Sequence, residues 1–209
     1  MVRCIRSRAV RLAGMAALLA TSAAAQTAPG QAPAALPELL VANFDSGRKP
    51  NNLGGDFGAW IKDPNDPSQG AVEAFDGDNA HGGKGNALRL IYSVQSSRSA
   101  YGGLWMRLQN LDATRFDTVS FRIRGDARLG FTKVLKVELK DSADQASHVY
   151  VRTVTDRWQD LAIPLKDFQG QANPARLKEF VIVIEDSSAT ARQGVLYFDD
   201  IRFTAPPPR

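Results

Sequence analysis

The chain has 209 residues, with 26 Lys and Arg, 22 Asp and Glu, and a single Cys. Four of the basic residues and the Cys lie within residues 1–25, which contain no acid, so the rest of the chain carries 22 bases against 22 acids. This balance gives no support to a nucleic-acid or anionic-membrane partner, and the chain after residue 25 can form no disulfide.

Residues 1–25 have the pattern of a cleavable export signal. Four Arg residues precede an apolar run at 12–20 that is too short to span a bilayer, and the segment ends in Ala-x-Ala. The alternative is a flexible N-terminal arm, which the order of basic, apolar and small residues disfavours. We therefore predict a periplasmic or secreted protein without a membrane span. Residues 26–37 are predicted to form an Ala/Pro-rich linker and residues 205–209 a Pro-rich tail.

Short alternating or apolar runs separated by Gly, Asp and Asn fill residues 38–204, and long helical periodicity is missing. This pattern predicts a single all-β domain. The predicted strands of its first half lie at 39–44, 59–62, 70–75, 86–94 and 101–108.

The second half of the domain continues the pattern. Predicted strands lie at 117–124, 133–140, 147–154, 158–165, 180–185 and 195–203, with one helical turn at 174–179. The clearest strand is 133–140, in which Leu135, Val137 and Leu139 alternate with charged residues. About ten short strands with frequent turn signals predict a two-sheet antiparallel β-sandwich.

The last predicted strand carries two adjacent carboxylates, Asp199 and Asp200. Strict alternation of side chains places Asp199 on the face of the apolar residues Val195, Tyr197, Ile201 and Phe203. We therefore expect Asp199 to point inward and Asp200 outward. A buried carboxylate needs a cation, a metal or several donors. If the two chain ends meet, Asp45 in the turn after the first strand could share a cation with this pair.

Five motifs, in this order and spacing, resemble the galactose-binding-like jelly-roll modules, and most of all carbohydrate-binding modules of the family 11 type. They are Phe-Asp-Ser-Gly at 44–47, Tyr-Gly-Gly-Leu-Trp at 101–105, Val-Ser-Phe-Arg-Ile-Arg-Gly at 119–125, Trp-Gln-Asp-Leu-Ala-Ile-Pro-Leu-Lys-Asp-Phe at 158–168 and Leu-Tyr-Phe-Asp-Asp-Ile at 196–201. The resemblance covers residues 38–204. It implies a jelly roll, a glycan cleft on the concave sheet and a structural calcium near the paired chain ends.

The resemblance assigns the calcium ligands to Asp199 and Asp200, with Asp45 as their N-terminal counterpart. Calcium takes several carboxylate and carbonyl oxygens, which suits this set. Asn43 stands where the first strand of such modules often carries an acid, so the site would be less charged and weaker. The alternative is that Asp45 only caps a turn and that Asp200 is solvated.

A second candidate site consists of aromatic, charged and polar residues predicted to face solvent from several strands: Trp105, Arg124, Lys136, Glu138, His148, Tyr150 and Arg152. Aromatic rings stack on the C–H faces of sugars, and planar polar groups hydrogen-bond paired hydroxyls. The set could therefore line one concave sheet and bind a poly- or oligosaccharide. Its Arg and Lys excess favours acidic or phosphorylated glycans. The alternative is an ordinary polar strand face with cross-strand ion pairs.

An enzyme is the main rival of a binding module. Glu138 and Glu185 could share one face, and two carboxylates are the minimum for glycoside hydrolysis, but the sequence fixes no separation between them. The sequence has no Gly-x-Ser-x-Gly motif, and His81 and His148 do not make a zinc site without further ligands. A lyase is a further, weaker possibility.

A third alternative is an envelope protein–protein adaptor or assembly factor on the same fold, because fold does not fix function. Trp60 and Trp158 are predicted to pack in the core or at its rim. The sequence thus predicts an exported, non-catalytic carbohydrate-binding jelly roll with one structural calcium. Modules of this kind are usually attached to a catalytic domain, so a partner enzyme encoded separately is expected.

Overall fold

The structure is a computed structural model that describes residues 37–205. Within this range twelve β-strands form two antiparallel sheets, which confirms the predicted β-sandwich. The strands are β1 (Glu38–Ala42), β2 (Phe57–Ile61), β3 (Gln69–Asp76), β4 (Ala87–Val94), β5 (Tyr101–Leu111), β6 (Thr118–Gly125), β7 (Leu135–Asp141), β8 (Ala146–Val151), β9 (Gln159–Pro164), β10 (Gln169–Gly170), β11 (Leu177–Glu185) and β12 (Gln193–Thr204). Short 3-10 turns lie at His81–Gly83, Leu165–Asp167 and Pro174–Arg176.

The two sheets share the strands evenly. Sheet A has the order β3-β4-β12-β6-β9, and β1 pairs with the C-terminal part of β12. Sheet B has the order β10-β8-β7-β11-β5-β2. The first and last strands are therefore paired, as the family resemblance implied for the two chain ends. None of the helices within residues 37–205 is long and apolar enough to cross a membrane.

The core lies between the sheets and is built by the alternation that the sequence shows. Leu135, Val137 and Leu139 of β7 point into it, and each is less than 5% exposed. Three phenylalanines join the sheets: the ring of Phe121 lies 5.7 Å from that of Phe180 in sheet B and 6.3 Å from that of Phe198 in sheet A. Burying a side chain of this size contributes about 1.5–3 kcal/mol.

The closing strand differs from its prediction because it contains a β-bulge. Its register with β6 shifts between Asp199 and Arg202, and Asp200 has a left-handed φ of 48°. An extra residue at a bulge reverses the alternation of side chains beyond it. As a result Leu196 and Phe198 face the core before the bulge, and residues 201 and 203 face it afterwards. The prediction that positions 195, 197, 199, 201 and 203 share one face is therefore wrong.

Asp199 is nevertheless buried, with 3% of its surface exposed. It lies on the outer face of sheet A, beyond Val195 and Tyr197, which pack with Ala87 and Trp158 in a small apolar cluster. The loop after β3 covers it, because the backbone N–H of His81 donates to its Oδ2 at 3.3 Å. A loop contact, rather than the sandwich core, removes this carboxylate from water.

Candidate functional site

The outer face of sheet B, turned away from the core, brings together most of the predicted sugar-binding residues. Cross-strand register places one row of residues over five neighbouring strands: His148, Glu138, Val181, Trp105 and Gly58. The next row contains Tyr150, Lys136, Val183, Gly103 and Trp60. Both valines are at most 3% exposed although they face outward, so the longer side chains around them cover the middle of this face.

One side of the outer face of sheet B is aromatic. The ring of Trp60 packs edge to face against Tyr101, with centroids 5.7 Å apart. Trp105 lies against Gly58, where a Cβ would approach its Nε1 to 3.3 Å. The guanidinium of Arg107 lies 5.4 Å from the Trp105 ring. Three aromatic side chains on two adjacent strands thus form one partly exposed surface.

Trp60 is a member of this face that the sequence reasoning missed. It was predicted to pack in or near the core, but it points outward from β2, opposite Gly103. Its indole Nε1 is buried and has no hydrogen-bond partner among the described residues. The signal for its direction was present in the sequence, because its neighbours Ala59 and Ile61 are the apolar positions of an alternating strand.

The other side of the face carries a charged network. The Lys136 ammonium lies 2.9 Å from a Glu138 carboxylate oxygen and 2.6 Å from one of Glu185. The Tyr150 hydroxyl donates to the second oxygen of Glu185 at 2.8 Å. All three charged side chains are less than 20% exposed. Such cross-strand ion pairs are the alternative that the sequence left open, and here they also hold the polar groups in fixed positions.

Mutual pairing keeps this network ionised. Burial opposes the charge of Lys136, but hydrogen bonds to Glu185 and Glu138 outweigh it and raise the pKa of the ammonium. Burial also opposes the charge of Glu185, but hydrogen bonds from Lys136 and Tyr150 outweigh it and lower the pKa of this carboxyl. Because Lys136 is shared by two carboxylates, it offers no free positive charge to an acidic sugar.

His148 and Arg152 complete the set around Tyr150. The His148 ring packs edge to face on Tyr150 at 6.0 Å, and the Arg152 guanidinium lies 5.1 Å from the Tyr150 ring. Six of the seven predicted residues therefore lie on the outer face of sheet B: Trp105, Lys136, Glu138, His148, Tyr150 and Arg152.

Arg124 does not belong to this face, so the prediction that it joins the other six is wrong. It lies on β6 in sheet A, where its guanidinium is 4.5 Å from the Tyr197 ring and 5.6 Å from the Trp158 ring. Alternation along β6 indicates that Arg124 points away from the core, and it does. Which sheet β6 joins depends on its pairing with β12 and β9, which local alternation does not encode.

The two carboxylates considered for glycoside hydrolysis are brought together, but in a state unlike that of a catalytic pair. Glu138 and Glu185 both contact the ammonium of Lys136. A glycosidase needs one carboxylic acid with a raised pKa to protonate the leaving group. The pKa of Glu185 is lowered instead. Their arrangement suits fixed hydrogen-bond acceptors better than proton transfer.

The three predicted calcium ligands are divided between two environments. Burial and the adjacent Asp200 carboxylate raise the pKa of Asp199 to about 6, against hydrogen bonds from the Asp200 and His81 backbone, and Asp45 adds to the increase. The Asp200 carboxylate instead pairs with Arg122, and it lies 3.5 Å from Arg202. Within residues 37–205 no three His, Cys, Asp or Glu side chains are grouped to hold a metal ion. Asp45 and Asp199 suit a hard cation, whereas Asp200 faces arginine.

The family model for carbohydrate binding domain 30 matches residues 55–205. The chain belongs to this family. The match to carbohydrate binding domain 30 includes every residue of the outer face of sheet B named above and leaves out Asp45. The predicted resemblance to carbohydrate-binding jelly-roll modules is confirmed.

Solved structures of other carbohydrate-binding modules share the fold. A family 11 module from Clostridium thermocellum, in complex with a beta-1,3-1,4-mixed-linked tetrasaccharide, is 13% identical over 84% of this chain and all of its own, with a TM-score of 0.62. A family 30 module is 18% identical over 72% of this chain and 83% of its own, with a TM-score of 0.54. The CBM22-1 xylan-binding domain of Paenibacillus barcinonensis Xyn10C is 14% identical over 86% of this chain and all of its own, with a TM-score of 0.52. No curated protein matches the chain by sequence.

Proposed function

We propose that the protein is a non-catalytic carbohydrate-binding module and that its glycan lies on the outer face of sheet B. The observation that carries this proposal is the pairing of Trp60, Tyr101 and Trp105 with the network centred on Lys136 across the same face. Aromatic rings supply apolar contact area for sugar C–H groups, and polar groups held in position bind hydroxyls without a further loss of side-chain freedom.

The solved neighbours indicate which glycans to test first. A family 11 structure holds a beta-1,3-1,4-mixed-linked tetrasaccharide, and the family 22 domain is described as xylan-binding. At 13–14% identity these structures support the fold and not the ligand. We therefore treat mixed-linkage β-glucan and xylan as the first probes and expect one poly- or oligosaccharide class to bind.

The decisive experiment measures binding to a glycan array, followed by titration with the best ligand. Trp105→Ala and Trp60→Ala each should weaken binding by about tenfold or more, because central aromatic contacts commonly contribute more than 1 kcal/mol. Trp158→Ala is the matched control, since Trp158 lies over sheet A beside Arg124. An array on which the folded wild-type protein binds nothing would contradict the proposal.

An envelope adaptor is a second candidate function, and one observation favours it. Of the four large hydrophobic side chains exposed within residues 37–205, three line one cleft of about 380 Å³ on the outer face of sheet A: Val72, Ile91 and Leu129. Arg89 lines the same cleft, and its buried Nε has no partner among the described residues. Apolar side chains beside an arginine fit a protein partner that presents apolar residues and a carboxylate.

The adaptor candidate predicts a different dependence on mutation. A protein partner captured from the native host should be lost with the double substitution V72S/L129S and retained with Trp105→Ala. Glycan binding should show the reverse pattern. Retention of the partner by both variants would exclude this surface as its docking site.

We also propose the structural calcium and export as parts of this function. Support for calcium comes from Asp199, a buried carboxylate whose pKa is raised by its burial and by the neighbouring Asp200 and Asp45 carboxylates. Asp45 would be its second ligand, and Asp200 would join only by leaving Arg122.

Residues 1–25 lie outside the described residues. Export with cleavage after Ala25 would give a mature chain beginning at Gln26, which N-terminal sequencing of the secreted protein would test.

A further inference from the structure

A polar cleft of about 550 Å³ opens at one end of the outer face of sheet B. Its lining side chains include Asp56, Arg107, Gln109, Asn110, Ser142 and Lys178. The function proposed above uses none of these residues directly. The volume falls within the range of about 300–1,000 Å³ that is usual for ligand sites, in which a few polar groups fix the orientation of the ligand.

The wall of this polar cleft is a large bulge in β5. Arg107 pairs with Glu179 and Leu111 with Leu177, so three residues of β5 lie opposite a single residue of β11. Within the bulge Gln109 and Asn110 both adopt left-handed backbone, with φ of 56° and 57°. Each such residue costs about 1–2 kcal/mol, so the surrounding structure must hold the bulge in place. Bulges of this kind redirect side chains and are frequent beside functional sites.

The polar cleft is continuous with the aromatic side of the binding face. Arg107 lines the cleft and lies 5.4 Å from the ring of Trp105. Its carbonyl oxygen accepts a hydrogen bond from the Asn51 side chain at 2.9 Å, and the backbone of Gly55 packs closely against it. This fixed wall connects the Trp105 surface to Gln109 and Asn110 along the direction of β5.

Each charged side chain that lines the polar cleft has an oppositely charged side chain of the protein nearby. Arg107 lies 2.6 Å from Glu179, and Lys178 lies 2.6 Å from Asp144. The Asp56 carboxylate is 3.7 Å from the ammonium of Lys49, which also lies 3.0 Å from a Glu73 oxygen. What remains for a ligand is a set of neutral donors and acceptors, namely two amides and a hydroxyl. This set suits the hydroxyl groups of a neutral sugar and does not select phosphate, sulfate or carboxylate groups.

We propose that the polar cleft is an additional subsite that binds one neutral sugar unit of a glycan chain whose neighbouring units lie against Trp105. The glycan then runs along β5, with aromatic contact on one side of Arg107 and amide hydrogen bonds on the other. This inference rests on the proposed carbohydrate-binding function. It adds Gln109 and Asn110 as residues that favour a longer glycan chain with a neutral sugar unit in the polar cleft.

The test uses the full mature chain and titration calorimetry with oligosaccharides of mixed-linkage β-glucan, from disaccharide to hexasaccharide. The double substitution Q109G/N110G removes both amides but preserves the fold, because glycine adopts left-handed backbone without strain. We expect the variant to bind the longest oligosaccharide about five- to tenfold more weakly than the wild type and the shortest one equally well. A thermal melt at or above the wild-type temperature confirms that the fold is intact.

The outcomes separate the cleft inference from the proposed carbohydrate-binding function. If Trp105→Ala abolishes binding of the hexasaccharide but Q109G/N110G binds every length as the wild type does, the cleft inference is wrong and the proposed function stands. If the folded wild type binds neither these oligosaccharides nor any glycan of the array, both proposals are overturned. A sulfated oligosaccharide that binds more tightly than its neutral counterpart, and loses that advantage in Lys178→Ala, would contradict the inference that the polar cleft binds a neutral sugar.

Discussion

Gly58 leaves room for the ring of Trp105 on the proposed binding face because it has no side chain. A Cβ there would lie 3.3 Å from Nε1 of Trp105 and 3.4 Å from two carbons of the same ring. A methyl group would require the indole to shift by a few tenths of an ångström, and a branched side chain would displace it. The position of the aromatic surface therefore depends on a glycine in the neighbouring strand.

We expect Gly58→Val to weaken glycan binding about fivefold, because it moves the indole of Trp105 away from its position. Titration with the best ligand measures the effect, and tryptophan fluorescence reports the displaced ring. Gly70→Val is the matched control, since a Cβ at Gly70 meets no atom within 4 Å. Equal glycan affinity of the two variants would show that binding does not depend on the position of the Trp105 indole against Gly58.

Asp66 gives the clearest pH dependence at the residue scale. Hydrogen bonds from Ser68, Ser96 and Gln69 hold the pKa of this carboxyl well below its usual range. Because the folded-state pKa is lowered, this contribution to stability is present above the unfolded pKa of about 4 and is lost as the pH falls through the lower folded value.

We therefore expect Asp66→Asn to be less stable than the wild type at pH 7, with a difference that shrinks steadily between pH 4 and pH 2. Urea unfolding at a series of pH values measures this difference. The exposed Asp167→Asn serves as a comparison that should show little change. A difference that stays constant down to pH 2 would show that the charge of Asp66 does not stabilise the folded protein.

At the scale of elements, two bulges explain where the simple strand pattern fails. In β12 the bulge at Asp200 reverses the alternation, and in β5 the bulge at Gln109 and Asn110 opens a polar cleft. A bulge requires only that one or more residues leave the ladder, so it has a weak sequence signature. Both bulges occur beside proposed ligand groups, the carboxylates in one case and the amides in the other.

The packing of strands across the core provides a test of the fold at the same scale. Phe121 on β6 contacts Phe180 of sheet B and is 1% exposed. Phe121→Ala should reduce the free energy of unfolding by about 3–5 kcal/mol, because it removes buried area and leaves a cavity. Chemical denaturation measures the loss. Val72→Ala, at a 59% exposed position, should change stability by no more than about 0.5 kcal/mol. Equal effects would contradict the core assignment.

For the whole molecule, the pairing of the first and last strands matters because the chain after residue 25 has no cysteine. Backbone pairing of β1 with β12 already holds the ends together. A calcium ion between Asp45 and Asp199 would strengthen this connection, and its charge would offset the burial and the carboxylate repulsion that raise the pKa of Asp199.

Chelation tests the proposed calcium at this scale. At a calcium concentration of about 100 times the dissociation constant, binding stabilises by about 2.7 kcal/mol, which corresponds to a melting temperature roughly 5–10 °C higher for a domain of this size. Adding a chelator should remove that increase in the wild type and should have no effect on Asp199→Ala. An unchanged melting temperature, together with a metal-free protein by elemental analysis, would exclude the site.

The sequence by itself determined the all-β class, the inward positions of strands such as β7, and the residue types of the proposed sugar-binding face. These follow from side-chain alternation, which is set locally by the backbone of each strand. It also carried the family resemblance that the match to carbohydrate binding domain 30 confirms.

Only the tertiary structure decided which strands share a sheet and where the ladder is interrupted. It moved Arg124 to sheet A, added Trp60 to the face of sheet B and turned Asp200 toward Arg122. The physical reason is that strand pairing joins segments far apart in the chain, as when β11 pairs with both β5 and β7. Local alternation tells which way a side chain points, but the partners on that face come from distant strands.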